Sequence, residues 1–383
     1  MSTPRPDPDS VTGPSVERLH VGRPNLGPRD VFDSYVDRIY ATNWLTNDGP
    51  IVHELETAIA NRVGVRNCVA MSNGTVALEI AVRALGLTGE VIVPSFTFVA
   101  TAHALSWQGV TPVFADIDEA THCLDPQSVE AAISPETTGI IGVHTWGRAS
   151  PIEKLQNIAD RHGLALMFDA AHAFDCTYGG HTIGGFGRAE VFSFHATKFF
   201  NTFEGGAIVT NDDDLAARAR LMRNFGFAGY DNVVYAGTNG KMTEISAAMG
   251  MTNLTVLEDI KIGNARTHDA YAAALDKVAG VSLVVPDLAE RNNFQYVVGV
   301  VDAGAEVRDR ILSALHSRGV LARRYFWPGV HRMPVYASSA LRVPLPVTEH
   351  IADRVLVLPG GPSIAAREVD RVTNAIEEAI NAV

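Results

Sequence analysis

From about residue 31 to residue 255, short apolar runs alternate with stretches whose apolar positions recur at helical spacing. The runs are 91–93, 112–114, 139–143, 165–168, 191–194 and 206–209, all β-rich in composition. Strands that are apolar on both faces and separated by helices predict a mostly parallel sheet covered on each side, an α/β architecture. Val31–Tyr40 begins a helical pattern, and a long helical stretch runs from about Thr243 to Val278. Beyond it, strands are expected near 281–285 and 295–300 and helices near 305–318 and 366–380, which reads as a smaller α+β domain. The division expected is a tail over 1–30, a large domain over 31–255 and a C-terminal domain over 256–383. Six prolines among Ser, Asp, Arg and Gly make the tail a frayed segment with no chemistry of its own.

Length and charge narrow the function classes. A chain of 383 residues suits two domains, and 46% apolar content supplies a buried core. The net charge of −12 argues against nucleic acid as the main partner, because phosphate backbones need a basic field. Any anionic ligand must then be held by local groups. Cys68, Cys123 and Cys176 are isolated, without the spacing of a disulfide framework or a zinc site, so no metal is expected and a reducing cytoplasm is the natural setting. No run reaches the ~18 apolar residues of a spanning helix, and no basic region followed by an apolar one opens the chain.

Chemistry concentrates at the strand ends. Lys198 closes Ser193-Phe-His-Ala-Thr-Lys198 after one apolar run, and Asp169 closes another at Phe168-Asp-Ala-Ala-His172. In a parallel sheet ligands bind beyond the carboxyl ends of the strands. An acid and a lysine on adjacent strand ends match the needs of pyridoxal phosphate (PLP): the lysine bonds to the aldehyde, and the acid keeps the pyridine nitrogen protonated. Burial and the cationic ring lower the lysine pKa, so it can then serve as the base that moves a proton. Asp169 can equally be an N-cap ahead of a helix. His172 is either a contact to the cofactor's phenolic edge or a satisfied buried histidine. Ser72-Asn-Gly-Thr75 places Gly74 in a tight turn and Thr75 at a helix N-terminus, whose amides suit a phosphate as well as they suit a plain turn. The Ser193 hydroxyl is placed to reach the same phosphate. Phe98, in Pro94-Ser-Phe-Thr-Phe98, is either a stacking surface for the ring or a core residue. His195, two residues from Ser193, faces the same side, with its role open.

Taken in order, Ser72–Thr75, Pro94–Phe98, Val143-His-Thr-Trp-Gly147, Asp169–His172, Ser193–Lys198, Glu204-Gly-Gly206 and Gly237-Thr-Asn-Gly-Lys-Met242 resemble the motif set of the DegT/DnrJ/StrS sugar aminotransferases. The resemblance runs from about residue 40 to the end. It implies the PLP-dependent transferase fold of type I and a homodimer with shared active sites. Carried over by position, it makes Lys198 the cofactor-bound lysine, Asp169 the ring-nitrogen partner, Phe98 the stacking residue, Gly74, Thr75 and Ser193 phosphate ligands, and Asn239 a ligand to the neighbouring subunit's phosphate. It also implies glutamate as amino donor, a nucleotide-linked keto-deoxyhexose (dTDP-linked by expectation) as acceptor, and pyridoxamine phosphate as the alternate cofactor form. Arg223, Lys241, Arg323 and Arg324 are then candidates to meet a nucleotide diphosphate, with a solvated surface charge as the alternative for each. Phe200–Gly206 is more similar to enzymes that aminate C4 of the hexose than to those for C3. Lys198 argues against the sugar dehydratases of the family, which carry histidine there. Phe168 stands where a glutamate is common, and Phe174-Asp-Cys-Thr-Tyr178 replaces a usual His-Gly pair. An aminocyclitol (inosose) aminotransferase, another PLP reaction on the same fold, and a non-catalytic regulator are the competing readings.

Overall fold

Seven strands form the central sheet: β1 (Asn67–Met71), β2 (Glu90–Pro94), β3 (Thr111–Ala115), β4 (Thr137–Val143), β5 (Ala165–Asp169), β6 (Ala189–Ser193) and β7 (Gly206–Thr210). Their order across the sheet is β1-β7-β6-β5-β4-β2-β3. Only β7 runs against the others, pairing antiparallel with both β1 and β6. The computed structural model describes residues 18–338 and 341–382.

The strands are apolar on both faces because both faces are covered. Val91, Ile92, Val93, Ile140 and Ile141 are fully buried, and two separate apolar clusters lie on opposite sides of the sheet. Helices α3 (Gly74–Ala84), α4 (Ala100–Ser106), α5 (Pro126–Ala132), α6 (Ile152–His162) and α7 (Asp213–Met222) belong to the first cluster's surroundings. Helices α1 (Arg29–Thr42) and α2 (Pro50–Val63) pack on α8 (Glu244–Leu254) over the second.

The chain direction brings six of the seven motifs to one edge. Met71, Pro94, Val143, Asp169 and Ser193 end their strands there, and the reversed β7 begins there, Gly206 standing opposite both Met71 and Ser193.

The C-terminal region builds its own core. Strands β8 (Val281–Leu283), β9 (Val297–Val301) and β10 (Val355–Leu358) form an antiparallel sheet, with α9 (Leu257–Leu275), α10 (Ala305–Ser317) and α12 (Ala366–Asn381) around it. The long helical stretch expected from Thr243 is two helices, broken at Thr255–Val256 between α8 and α9. The expected tail also ends earlier. Leu19 is fully buried in the C-terminal core and pairs, with His20, in parallel to Val320 and Leu321. A two-residue strand that finds its partner some three hundred residues later leaves no periodic signal. Residues 1–17 of that expected tail lie outside the described residues.

Candidate active site

Beyond the sheet edge lies a cavity of about 280 Å³, and Gly74, Thr75, Phe98, Asp169, His172, Ser193, His195 and Lys198 all line it. β5 and β6 are parallel neighbours, so Asp169 and the Ser193–Lys198 turn leave the sheet side by side.

Lys198 sits in a turn closed by its own amide, which donates to the His195 carbonyl at 2.9 Å. Its Nζ lies 3.4 Å from Tyr296 Oη. Burial pushes the amine down to about 8, against the pull of the Asp169 charge, so a neutral amine is accessible near neutral pH. Asp169 is 6% exposed. Thr101 Oγ1 donates to its Oδ2 at 2.8 Å and the Ala171 amide to its Oδ1 at 3.1 Å. Thr101 Oγ1 in turn stands 2.9 Å from Thr97 Oγ1, in the turn that precedes α4. Burial raises the Asp169 carboxyl above the usual range, while these two donors and Lys198 hold it down. A cationic ring nitrogen beside it supplies the missing counter-charge, which is the chemistry this donor set suits.

The turn after β1 and the start of β7 approach closely. The Asn73 side chain caps α3 by accepting from the Val76 amide at 2.8 Å, leaving the first residues, Gly74 and Thr75, at the cavity wall. A Cβ on Gly206 would lie 2.7 Å from Gly74 N, and one on Gly74 would lie 2.9 Å from Ser193 Cβ. Glycine is required here by the close approach of backbone segments. The helix N-terminus, these bare glycines and the Ser193 hydroxyl form one polar part of the cavity wall, a donor set that suits a phosphate.

An aromatic wall closes the other side. Trp146 stacks on His172 (5.9 Å, 14°) and on Phe326 (5.1 Å, 9°), and Tyr296 meets His172 at 4.6 Å. The Trp146 amide donates to His172 Nδ1 at 3.3 Å, which puts the ring proton on Nε2. Burial pushes His172 well below its usual pKa and keeps it neutral. Phe98 is not a core residue: it is 56% exposed and forms part of the cavity lining. His195 is exposed, with Nδ1 2.9 Å from Thr197 Oγ1 and Nε2 3.5 Å from Glu204, so it braces the lysine turn from the solvent side.

The cations divide. Arg323 and Arg324 line a second cavity, also about 280 Å³, that shares Thr97, Phe98, Tyr325 and Phe326 with the first. Arg324 lies over the Trp327 ring at 4.0 Å and pairs with Asp309 at 3.1 Å. Arg223 corrects the expectation for it. Only 4% exposed, it donates to Glu56 Oε1 at 2.6 Å and to the Ala70 carbonyl at 2.8 Å, and it also pairs with Asp48. Those bonds hold β1 to α2, and the buried guanidinium lines neither cavity. Lys241 lies over the Phe225 ring at 4.6 Å and lines neither cavity, although its segment pairs with Met71 and Ser72 just before the Asn73–Thr75 wall. Asn239 is exposed and also absent from the cavity wall.

Sequence reasoning missed Thr101, Ala171, Tyr296, Tyr325 and Phe326 in this site. Thr97 stands in the turn before α4 and Thr101 within that helix, so no single periodic face joins them in the sequence. Tyr296 and Tyr325 arrive from more than a hundred residues past Asp169, and no local pattern marks them.

Residues 29–377 match the DegT/DnrJ/EryC1/StrS aminotransferase family. The chain is 35% identical over 361 residues to the dTDP-4-amino-4,6-dideoxy-D-glucose transaminase of Shigella dysenteriae, covering 94% of this chain and 98% of that protein. It is 34% identical to the GDP-perosamine synthase of Caulobacter vibrioides over 95% of this chain and 98% of that one. Among solved structures, DesI in the presence of its TDP-sugar product superposes with a TM-score of 0.92 at 46% identity, over 96% of this chain and 94% of that one. With the cavity, the strand-end acid and lysine, and these relatives in agreement, the chain belongs to the DegT/DnrJ/EryC1/StrS family and is a PLP-dependent aminotransferase of fold type I.

Proposed function

We propose that the protein transfers the amino group of glutamate to C4 of a nucleotide-linked keto-deoxyhexose, a dTDP-linked sugar first among candidates. The observation that carries the reading is that Lys198 and Asp169, on neighbouring strand ends, line one cavity together with the start of α3 and Ser193. Two of the three relatives above are named for TDP-linked sugars and one for a GDP-linked sugar, which places the nucleotide sugar ahead of an inosose as acceptor.

Bound PLP supplies the electron sink for a carbanion at the substrate carbon. Asp169, aligned by Thr101 and Ala171, holds the ring nitrogen in its protonated form. Gly74 and Thr75 at the start of α3 and the Ser193 hydroxyl hold the phosphate. Phe98 offers its exposed face to the ring. Lys198 would hold the cofactor's aldehyde, and its lowered pKa suits its free amine as the base that moves the proton at the substrate carbon at neutral pH. Arg324 and Arg323, in the adjoining cavity, meet the nucleotide diphosphate, and Trp327 and Tyr325 offer it apolar faces. The site belongs to a homodimer in which Asn239 reaches the partner's phosphate. The three free, buried cysteines suit a reducing cytoplasm. Among the described residues, no helix is long and apolar enough to cross a membrane.

A panel of dTDP-, UDP- and GDP-linked 4-keto and 3-keto sugars and an inosose, each offered with glutamate, tests this reading. Expected is turnover of a 4-keto nucleotide sugar with the new amine on C4, and its loss by at least about 10³-fold in Lys198→Ala. Amination at C3 alone, or turnover of the inosose alone, overturns the substrate assignment. A protein that shows no PLP absorbance change on adding glutamate overturns the role of Lys198.

A further inference from the structure

We propose that Tyr296 is a positioning residue for the reacting lysine: its hydroxyl is the hydrogen-bond partner of the free Lys198 amine, and the segment 293–296 is the strut that holds the lysine turn and the Asp169–His172 turn in register. The proposal rests on Lys198 being the reacting amine.

Lys198 Nζ is 3.4 Å from Tyr296 Oη and 5.9 Å from the ring centre, so the amine stands off the hydroxyl end of the ring and not over its face. The ring itself is wedged, edge-on to Trp146 at 5.4 Å and tilted on His172 at 4.6 Å. Its backbone is held as firmly. Gln295 Oε1 accepts from the Phe199 amide at 3.0 Å, next to Lys198. Asn293, 1% exposed, donates through Nδ2 to the carbonyls of His172 at 2.9 Å and Phe174 at 3.0 Å. Asn293 Oδ1 accepts from the Gln295 amide at 3.0 Å, and Asn264 Nδ2 donates to the Asn293 carbonyl at 2.8 Å. Three of the four residues leading into β9, Asn293, Gln295 and Tyr296, therefore reach the two functional turns of the large sheet between them. A segment that packed the two cores together needs apolar contacts, not three side chains spent on the two turns that carry the acid and the base.

The hydroxyl suits both states of the amine. Burial pushes the Tyr296 phenol well above its usual pKa, so it stays protonated: it accepts from the ammonium and donates to the neutral amine. Each state leaves Lys198 aimed along the same line, so a proton can be gained and lost without the side chain swinging away. Asp169, His172, His195, Glu204, Tyr296 and Tyr325 are the titratable groups that line the cavity with the amine. Of these, Tyr296 is the one within hydrogen-bond reach of Nζ among the described residues.

Tyr296→Phe keeps the ring and its stacking, so it separates the hydroxyl from the packing. The holoenzyme in its pyridoxamine phosphate form has Lys198 free, and the rate of Lys198 acetylation, followed by peptide mass spectrometry across a pH series, reports the amine's pKa. Charge-assisted bonds are about twice as strong as neutral ones, so removing the hydroxyl costs the ammonium more than the amine; the Lys198 pKa falls by up to about one unit. We expect kcat to fall about 10-fold with KM for both substrates within about 2-fold. Asn293→Ala, which leaves both the hydroxyl and the Gln295 side chain in place, lowers kcat while its Lys198 titration stays that of the wild type. The cofactor absorbance of Tyr296→Phe still responds to glutamate, whereas that of Lys198→Ala does not, so failure here and failure of the lysine assignment give different signals. An unchanged Lys198 titration in Tyr296→Phe overturns the proposal, whether kcat is also unchanged or falls together with thermal stability as packing alone would make it.

Discussion

A carboxylate at a strand end has two ordinary fates, helix cap or ion-pair partner, and Asp169 shows how surroundings choose between residue roles. Its Oδ1 does accept a turn amide, that of Ala171, as a cap would, but Oδ2 is held by Thr101 from a different strand's helix and the whole group faces the cavity. Arg223 shows the opposite outcome, a candidate ligand group consumed by Glu56 and the Ala70 carbonyl. Thr101 is the residue by which this account of Asp169 can be checked. Its hydrogen bond lowers the carboxyl pKa, so Thr101→Val raises it further, and the acid limb of the pH–rate profile moves to higher pH. The expected loss at neutral pH is about 10-fold, with Thr101→Ser restoring both rate and profile. A Thr101→Val profile that overlays the wild type would remove the threonine from the mechanism.

Elements contribute through where they stop. Five of the six parallel strands of the large sheet, all but β3, end where a turn carrying a motif begins; the reversed β7 adds one more by starting at the same edge. The packing there is tight enough that glycine is structural. In Gly206→Ala the new Cβ meets Gly74 N and the Asn73 carbonyl carbon at 2.7 Å, both backbone atoms with no room to retreat. The start of α3 must shift, with a cost in stability of about 1–3 kcal/mol and a loss of PLP affinity of at least about 10-fold. Denaturant unfolding and a fluorescence titration with PLP measure the two; wild-type affinity in that variant would mean that this part of the cavity wall does not hold the phosphate.

Assembly belongs to the whole molecule. The segment that carries Asn239 also exposes Phe225, Phe227, Tyr230, Val233 and Val234, a concentration of apolar side chains that a monomer leaves in water. If Asn239 serves the partner's site, Lys198→Ala and Asn239→Ala chains are each poorly active alone, yet a mixture re-forms one intact site in every mixed dimer. Subunit exchange then restores up to about a quarter of wild-type activity, the share expected for random pairing in a two-fold dimer. Equilibrium sedimentation checks the dimer itself, and a mixture no more active than its parts rules out the shared site.

Sequence by itself determined the large sheet, the placement of Lys198 and Asp169 at adjacent strand ends, and the cofactor class. Each of these is written locally, in periodicity and in a motif that directly follows a strand. Tertiary structure alone decided that Leu19 completes the C-terminal core, that Arg223 is an internal ion pair while Arg324 borders the cavity, and that Thr101 and Tyr296 stand beside the acid and the base. The reason is range. Periodic patterns report which face of an element is buried, but not which distant side chain it meets, and a cation or hydroxyl takes its role from that partner.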